Sequence, residues 1–169
     1  MSGFGNGRAA SGPSGIGGWL ILPIIGFVGT ILLTGYNFWT SLKEIDGLKA
    51  IFAATSGPLA GLKIPVTLSL VSGCLVIISA AWCLYLIFAR KHVIVRFATA
   101  HYLILAAAGL IDMWGGLALE KAIPVTPSDP SVFRDAVKGI LIACIWIPYF
   151  LRSRRVRNTF GGSGPNAPA

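Results

Sequence analysis

The chain has 169 residues, with 14 Lys and Arg against 6 Asp and Glu and a net charge of +8. Apolar residues make up 54% and charged residues only 12%, and the mean hydropathy is +0.74. A soluble domain carries about 25% charged residues to cover its surface, so an ordinary soluble enzyme and a basic nucleic-acid binder are both excluded.

The length suits one domain, and the patterning predicts an all-α, polytopic membrane protein built as a four-transmembrane-helix bundle over 16–160. The Gly-, Ser- and Pro-rich segments 1–15 and 161–169 read as flexible tails, since they hold too few apolar residues to bury a core. The first apolar stretch, Ile16 to Trp39, is 24 residues long. That exceeds the roughly 7–15 residues of a signal-peptide core, and no small-residue cleavage site follows, so it reads as an uncleaved span. Next, Leu42, Ile45, Leu48 and Phe52 recur at near-helical spacing. They predict a short amphipathic helix over 42–54 on the outer membrane face, with Ser41 and Glu44 as its capping box.

Residues 64–89 hold 26 positions without a charge, more than the roughly 20 that a bilayer core requires. Pro65 suits the first turn of that second span. Residues 97–119 form the third span, interrupted by Asp112. Pro124, Pro127 and Pro130 predict an extended connection. The fourth span, 136–151, is short, and Lys138 in its first turn is expected to snorkel to the interface. Trp19, Trp39, Trp82, Trp114 and Trp146 lie in the spans or at their ends, and several match an interfacial aromatic belt.

Four spans put both termini and the loop 90–96 on one side. That side holds eight cations, Arg8, Arg90, Lys91, Arg96, Arg152, Arg154, Arg155 and Arg157, and no acid. The other side holds six cations, Lys43, Lys49, Lys63, Lys121, Arg134 and Lys138, mixed with acids. The positive-inside rule counts cations near the spans, so both termini are expected in the cytoplasm.

An ionisable residue within a span is a functional candidate by default, which singles out Asp112, His101 and Lys138. Antiparallel neighbours would bring Asp112 and Lys138 to similar depth, so Asp112 is expected to be neutralised by an ion pair with Lys138 or by water. His101 precedes Asp112 by 11 positions, close to three helical turns, so both share one stripe with Leu105, Ala108, Gly115 and Gly116. Small residues permit close helix approach, and this stripe is expected to face the bundle. His101 itself is placed near headgroup depth, four residues from the cytoplasmic end. Ser69, Ser72, Gly73, Ser79, Ala80 and Cys83 form a small face on span two, and Gly26, Gly29, Thr30 and Thr34 one on span one. Both are read as packing faces. Cys74, Cys83 and Cys144 fit no metal or haem spacing and read as small packing residues. Ser72 and His101 lack the oxyanion hole and spacing of a serine hydrolase, and the glycine runs are neither preceded by a strand nor followed by Gly-Lys-Ser/Thr. No catalytic residue, metal or cofactor is expected.

Two motifs resemble a known family. Gly17-Gly18-Trp19-Leu20-Ile21-Leu22 opens the first span. Ile145-Trp146-Ile147-Pro148-Tyr149-Phe150-Leu151-Arg152-Ser153 closes the last, followed by Arg155-Val156-Arg157-Asn158-Thr159-Phe160. Together they look like the bacterial domain-of-unknown-function 2569 family of small four-span inner-membrane proteins. The resemblance covers Ile16 to Phe160 and implies a bacterial inner-membrane location, without an activity that can be transferred. Read physically, Pro148 loosens the helix near its exit. Arg152, Arg154, Arg155 and Arg157 form a juxtamembrane cluster able to bind anionic lipid or to dock a partner. Thr159 and Phe160 lie beyond what topology requires, which favours docking.

These features predict a non-enzymatic accessory, assembly or regulatory membrane component, embedded in the lipid bilayer beside a membrane-protein partner or a second copy. The alternative is an oligomeric small transporter or channel component using Asp112 and His101.

Overall fold

The computed structural model describes residues 18–123 and 130–160, without the side chains of 130–132 and 155. The two expected tails and the connection 124–129 lie outside the described residues. Every regular element within them is helical: α1 (Ile21–Lys43), α2 (Ile45–Ala53), α3 (Lys63–Phe88), α4 (Ile94–Ala122), α5 (Pro130–Arg152) and α6 (Arg154–Phe160). Short 3-10 turns, Gly18–Leu20 and Pro58–Leu62, lead into α1 and α3.

Three segments are long and apolar enough to cross a membrane: Gly18–Lys43, Pro58–Phe88 and Ile94–Ala122, at mean hydropathies of 1.9, 2.3 and 1.7. Their exposed side chains are large and apolar, for example Leu32 at 67%, Ile78 at 64% and Leu103 at 57%. Water would not tolerate such a surface, and lipid requires it. Trp19 and Trp39, both exposed, stand 20 residues apart near the two ends of α1. At 1.5 Å per residue that is about 30 Å, the thickness of a bilayer's hydrocarbon core.

The helices pack in chain order, α1 on α3, α3 on α4 and α4 on α5. The fourth helix differs from expectation at its start. The expected extended connection ends earlier, because α5 begins at Pro130 rather than near 136, and proline tolerates the first helical turn since its missing N–H would be unpaired there anyway. Arg134, Asp135 and Lys138 therefore sit on helical turns, and the uncharged stretch is confined to Gly139–Leu151. Pro148 does not end the helix, which runs on to Arg152.

One end of the array carries α2 and the Pro58–Leu62 turn. The predicted loop helix exists, as α2, but the capping box does not form. Ser41 Oγ instead donates to Asn37 O at 3.0 Å, and α2 begins at Ile45 after Glu44 at its N-cap, with no side-chain cap. The reason is that α1 continues through Lys43, so Ser41 lies inside a helix and bonds back one turn.

The opposite end carries the connection 89–93 and α6. Arg90 adopts a left-handed backbone, φ 51°, where Arg90 N–H bonds to Ile87 O and Lys91 N–H to Leu86 O. That is a Schellman termination with arginine at the position glycine usually fills. Ser153 breaks the helix between α5 and α6, and its Oγ accepts from Val156 N–H at 3.4 Å. Helix α6 then folds against the bundle, burying Val156 (0% exposed) and Phe160 (3%). Both join one buried cluster with Leu20, Ile87, Ile94 and Phe150. Phe160 was expected to serve an external partner; the structure spends it on an internal contact.

Two packing expectations are also corrected. Cys83 is buried as expected, but Cys74 and Cys144 are exposed on the lipid-facing surface. On α1 a side chain at Gly26 or Gly29 would meet nothing within 4 Å, because α1 packs through Pro23 and Phe27 instead.

Candidate functional site

The stripe on α4 faces the bundle as expected, and α3 answers it with two serines. Near the α2 end, Ser69 Oγ donates to Asp112 Oδ1 at 2.5 Å. Near the α6 end, Ser79 Oγ lies 2.8 Å from His101 Nδ1. The serines are ten residues apart on α3 and their partners eleven apart on α4, so antiparallel helices bring both pairs into register. Between these two polar rungs α3 buries Ser72, whose Oγ donates to Ser69 O at 3.0 Å, beside the apolar Val76 of α3 and Ala108 of α4.

Asp112 does not pair with Lys138. Gly109 of α4 lies against Ala136 of α5, and Gly139 of α5 against Leu105 and Ala106 of α4. In that antiparallel register Lys138 stands opposite residues near 107, more than a helical turn from Asp112. Lys138 Nζ instead donates to Asp135 Oδ1 at 2.9 Å within α5, and Arg134 Nε approaches the same oxygen at 3.8 Å. All three side chains are more than half exposed, so the contacts contribute about 0–1 kcal/mol. The equal-depth argument failed because it assumed that α5 starts at 136.

His101 is 1% exposed, enclosed within the bundle. Its ring lies edge-on to Phe27, with centroids 5.0 Å apart, and to Tyr102 at 5.4 Å. Tyr102 stacks on Phe27 at 5.7 Å and approaches Phe150 at 6.2 Å. These rings tie α1, α4 and α5 together. Ser79 Oγ also lies 3.0 Å from Val76 O, and its one proton can serve only one acceptor. Donated to Val76 O, it leaves His101 Nδ1–H to donate to Oγ. Donated to Nδ1, it puts the ring proton on Nε2. In both tautomers Nε2 is buried without a partner among the described residues. Ser79→Ala is expected to lower stability by about 0.6–1.7 kcal/mol, the range for one interhelical hydrogen bond in a membrane. The midpoint of unfolding in mixed detergent micelles measures it, and an unchanged midpoint would remove the Ser79–His101 bond from the account.

Beside Asp112 lies a groove of about 230 Å³ lined by residues of α3 and α4. Asp112, Ser69, Gly115 and Gly116 line it together with Pro65, Val66, Leu119 and Ile51 of α2, and Asp112 is itself exposed. A side chain at Gly115 would meet Pro65 Cβ at 3.6 Å, so glycine there lets the helices converge just beside the opening.

The basic residues gather at the other end. Arg90, Lys91, Arg96, Arg152, Arg154 and Arg157 are all exposed around the connection 89–93 and α6. No acid stands among the described residues of that end. Among the described residues no group of His, Cys, Asp and Glu has a metal-binding arrangement.

Sequence reasoning located Asp112, His101 and the small faces but not their serine partners, although Ser69 and Ser79 were already marked on one face. It also missed Gly109 and Gly139, which make the α4–α5 contact.

No curated protein and no solved structure matches the chain. A family model described as a protein of unknown function, DUF2569, matches residues 13–161. That span contains both end motifs, every described helix, the two serine rungs and the basic end. The chain is a member of the DUF2569 family.

Proposed function

We propose that this protein is a non-enzymatic accessory component of the bacterial inner membrane, with four spans and both termini in the cytoplasm, acting through contacts rather than turnover. The observation that carries the reading is the docked α6. Burial of Val156 and Phe160 holds Arg154 and Arg157 at the bundle end, beside Arg90, Lys91, Arg96 and Arg152. Topology alone requires cations but not a folded helix to present them. A fixed basic surface of this kind suits the acidic face of a membrane-protein partner, with anionic lipid headgroups adding about 1 kcal/mol per cation near the surface.

The counterpart reading, a small transporter component using Asp112 and His101, is favoured by the groove at Asp112. It is weighed down by the buried apolar Val76 and Ala108, which leave Ser72 as the one buried polar side chain of α3 between the two rungs among the described residues. Four-helix chains of this kind would need a second copy to complete a polar path.

Affinity capture of the full chain from native membranes, tagged at its N-terminus, tests the proposal. A stoichiometric partner is expected with the wild type and is expected to be lost from the variant with Arg152, Arg154, Arg155 and Arg157 all changed to Ala. Clean recovery of the chain alone would count against it. Loss of pH-dependent transport in Asp112→Asn would install the transporter reading in its place.

A further inference from the structure

We propose that the groove between the α2-proximal parts of α3 and α4 binds a lipophilic cation, a primary ammonium carried on a single alkyl chain, with Asp112 as its counter-ion. The inference goes beyond the contact-based function above and does not depend on it.

Asp112 lies seven residues before Leu119, the last residue of the third apolar stretch, about 10 Å along the axis. A carboxylate at that depth calls for a counter-charge or full hydrogen bonding. Ser69 satisfies Oδ1, and among the described residues no Lys or Arg pairs with Asp112, since Lys138 is held by Asp135. The opening beside Asp112 is walled by Pro65, Val66, Leu119 and Ile51. One partly exposed acid lining an otherwise largely apolar groove is the complement of a cation with an apolar tail.

The lining narrows the chemistry further. Among the described residues no cation lines the groove, so the phosphate of a zwitterionic lipid finds no partner among them and is repelled by Asp112. A primary ammonium has three donors, enough for Asp112 Oδ2 and for the lone pairs of Ser69 Oγ together. A quaternary head has none. Gly116 lines the groove without a side chain.

The test uses the full chain in nanodiscs of phosphatidylcholine, photolabelled with a diazirine-bearing dodecylamine or with the matching dodecanol. Labelled peptides are mapped by mass spectrometry. The amine is expected to label the segments containing Ile51 and Leu119 about tenfold more than the alcohol, the effect of one charge-assisted hydrogen bond. Asp112→Asn, which still accepts from Ser69 Oγ, is expected to reduce amine labelling to the alcohol level. Gly116→Leu is expected to suppress it by filling the groove while leaving Asp112 in place, so a folding defect in one variant leaves the other decisive. Equal labelling by amine and alcohol, or amine labelling unchanged in both folded variants, would overturn the proposal. So would displacement of the amine by phosphatidylethanolamine added to the discs, which would assign the groove to a lipid headgroup.

Discussion

Gly109→Leu is expected to be among the most destabilising single substitutions in the chain, separating α5 from α4. A Cβ at Gly109 would lie 3.1 Å from Ala136 Cα, 3.6 Å from Asp135 O and 3.7 Å from Ala136 N. All three are backbone atoms, so no side chain can swing aside and the helix itself must retreat. One turn along, a Cβ at Gly139 would meet Leu105 O at 3.5 Å and Ala106 Cα at 3.6 Å, so the two glycines interlock. Lipid is as apolar as the bundle interior, and helix association there rests on close van der Waals packing. Pushing the backbones apart therefore forfeits the interaction along the whole seam. Overpacking of this kind costs about 1–3 kcal/mol, and Gly109→Ala is expected to cost less because only a few tenths of an ångström are needed. Gly26→Leu is the control, because nothing lies within 4 Å of a Cβ there. Unfolding in mixed micelles reads the difference. Equal midpoints for the Gly109 and Gly26 variants would refute the close contact.

The same seam shows why part of the site was legible in the sequence and part was not. Composition and the uncharged runs were sufficient for α1, α3 and α4, because lipid exposure demands long apolar helices whatever their neighbours are. The α4 stripe was legible too, since Ala108 and Gly115 mark by size the face that meets another helix. Register was not legible. It depends on where Gly109 and Gly139 seat against the opposite backbone, and a shift of one helical turn decides whether Asp112 meets a lysine of α5 or a serine of α3. The start of α5 hid the error, because three prolines in seven residues look like a loop even when the last of them opens a helix. Helix α6 was hidden for a different reason. Seven residues dominated by arginine carry no apolar period that stands out, and Val156 and Phe160 become a docking face only once Ser153 has turned the chain.

Phe160→Ala is expected to release α6 from the bundle and expose the arginine cluster to protease. Phe160 is 3% exposed and Val156 is fully buried, in a cluster with Leu20, Ile87, Ile94 and Phe150. This contact lies at the end of the helices, where the alternative to burial is water, so the hydrophobic effect acts here as it does not along the spans. Truncating a buried phenylalanine costs about 3–5 kcal/mol. A helix of seven residues has no independent stability to set against that loss. The other holds on α6 are Val156 and the bond from its N–H to Ser153 Oγ, which is long at 3.4 Å. Local opening rises tenfold for each 1.4 kcal/mol or so, so tryptic cleavage between Arg152 and Arg157 is expected to accelerate by at least about a hundredfold. The spans, anchored by Phe27, Tyr102 and Phe150, are expected to keep their unfolding midpoint. Phe160→Leu, which retains most of the buried surface, is expected to cleave at nearly the wild-type rate. If Phe160→Ala is cut no faster than the wild type, α6 does not depend on this contact. The basic surface is then not a fixed one, and the arginines act only as anchors of topology.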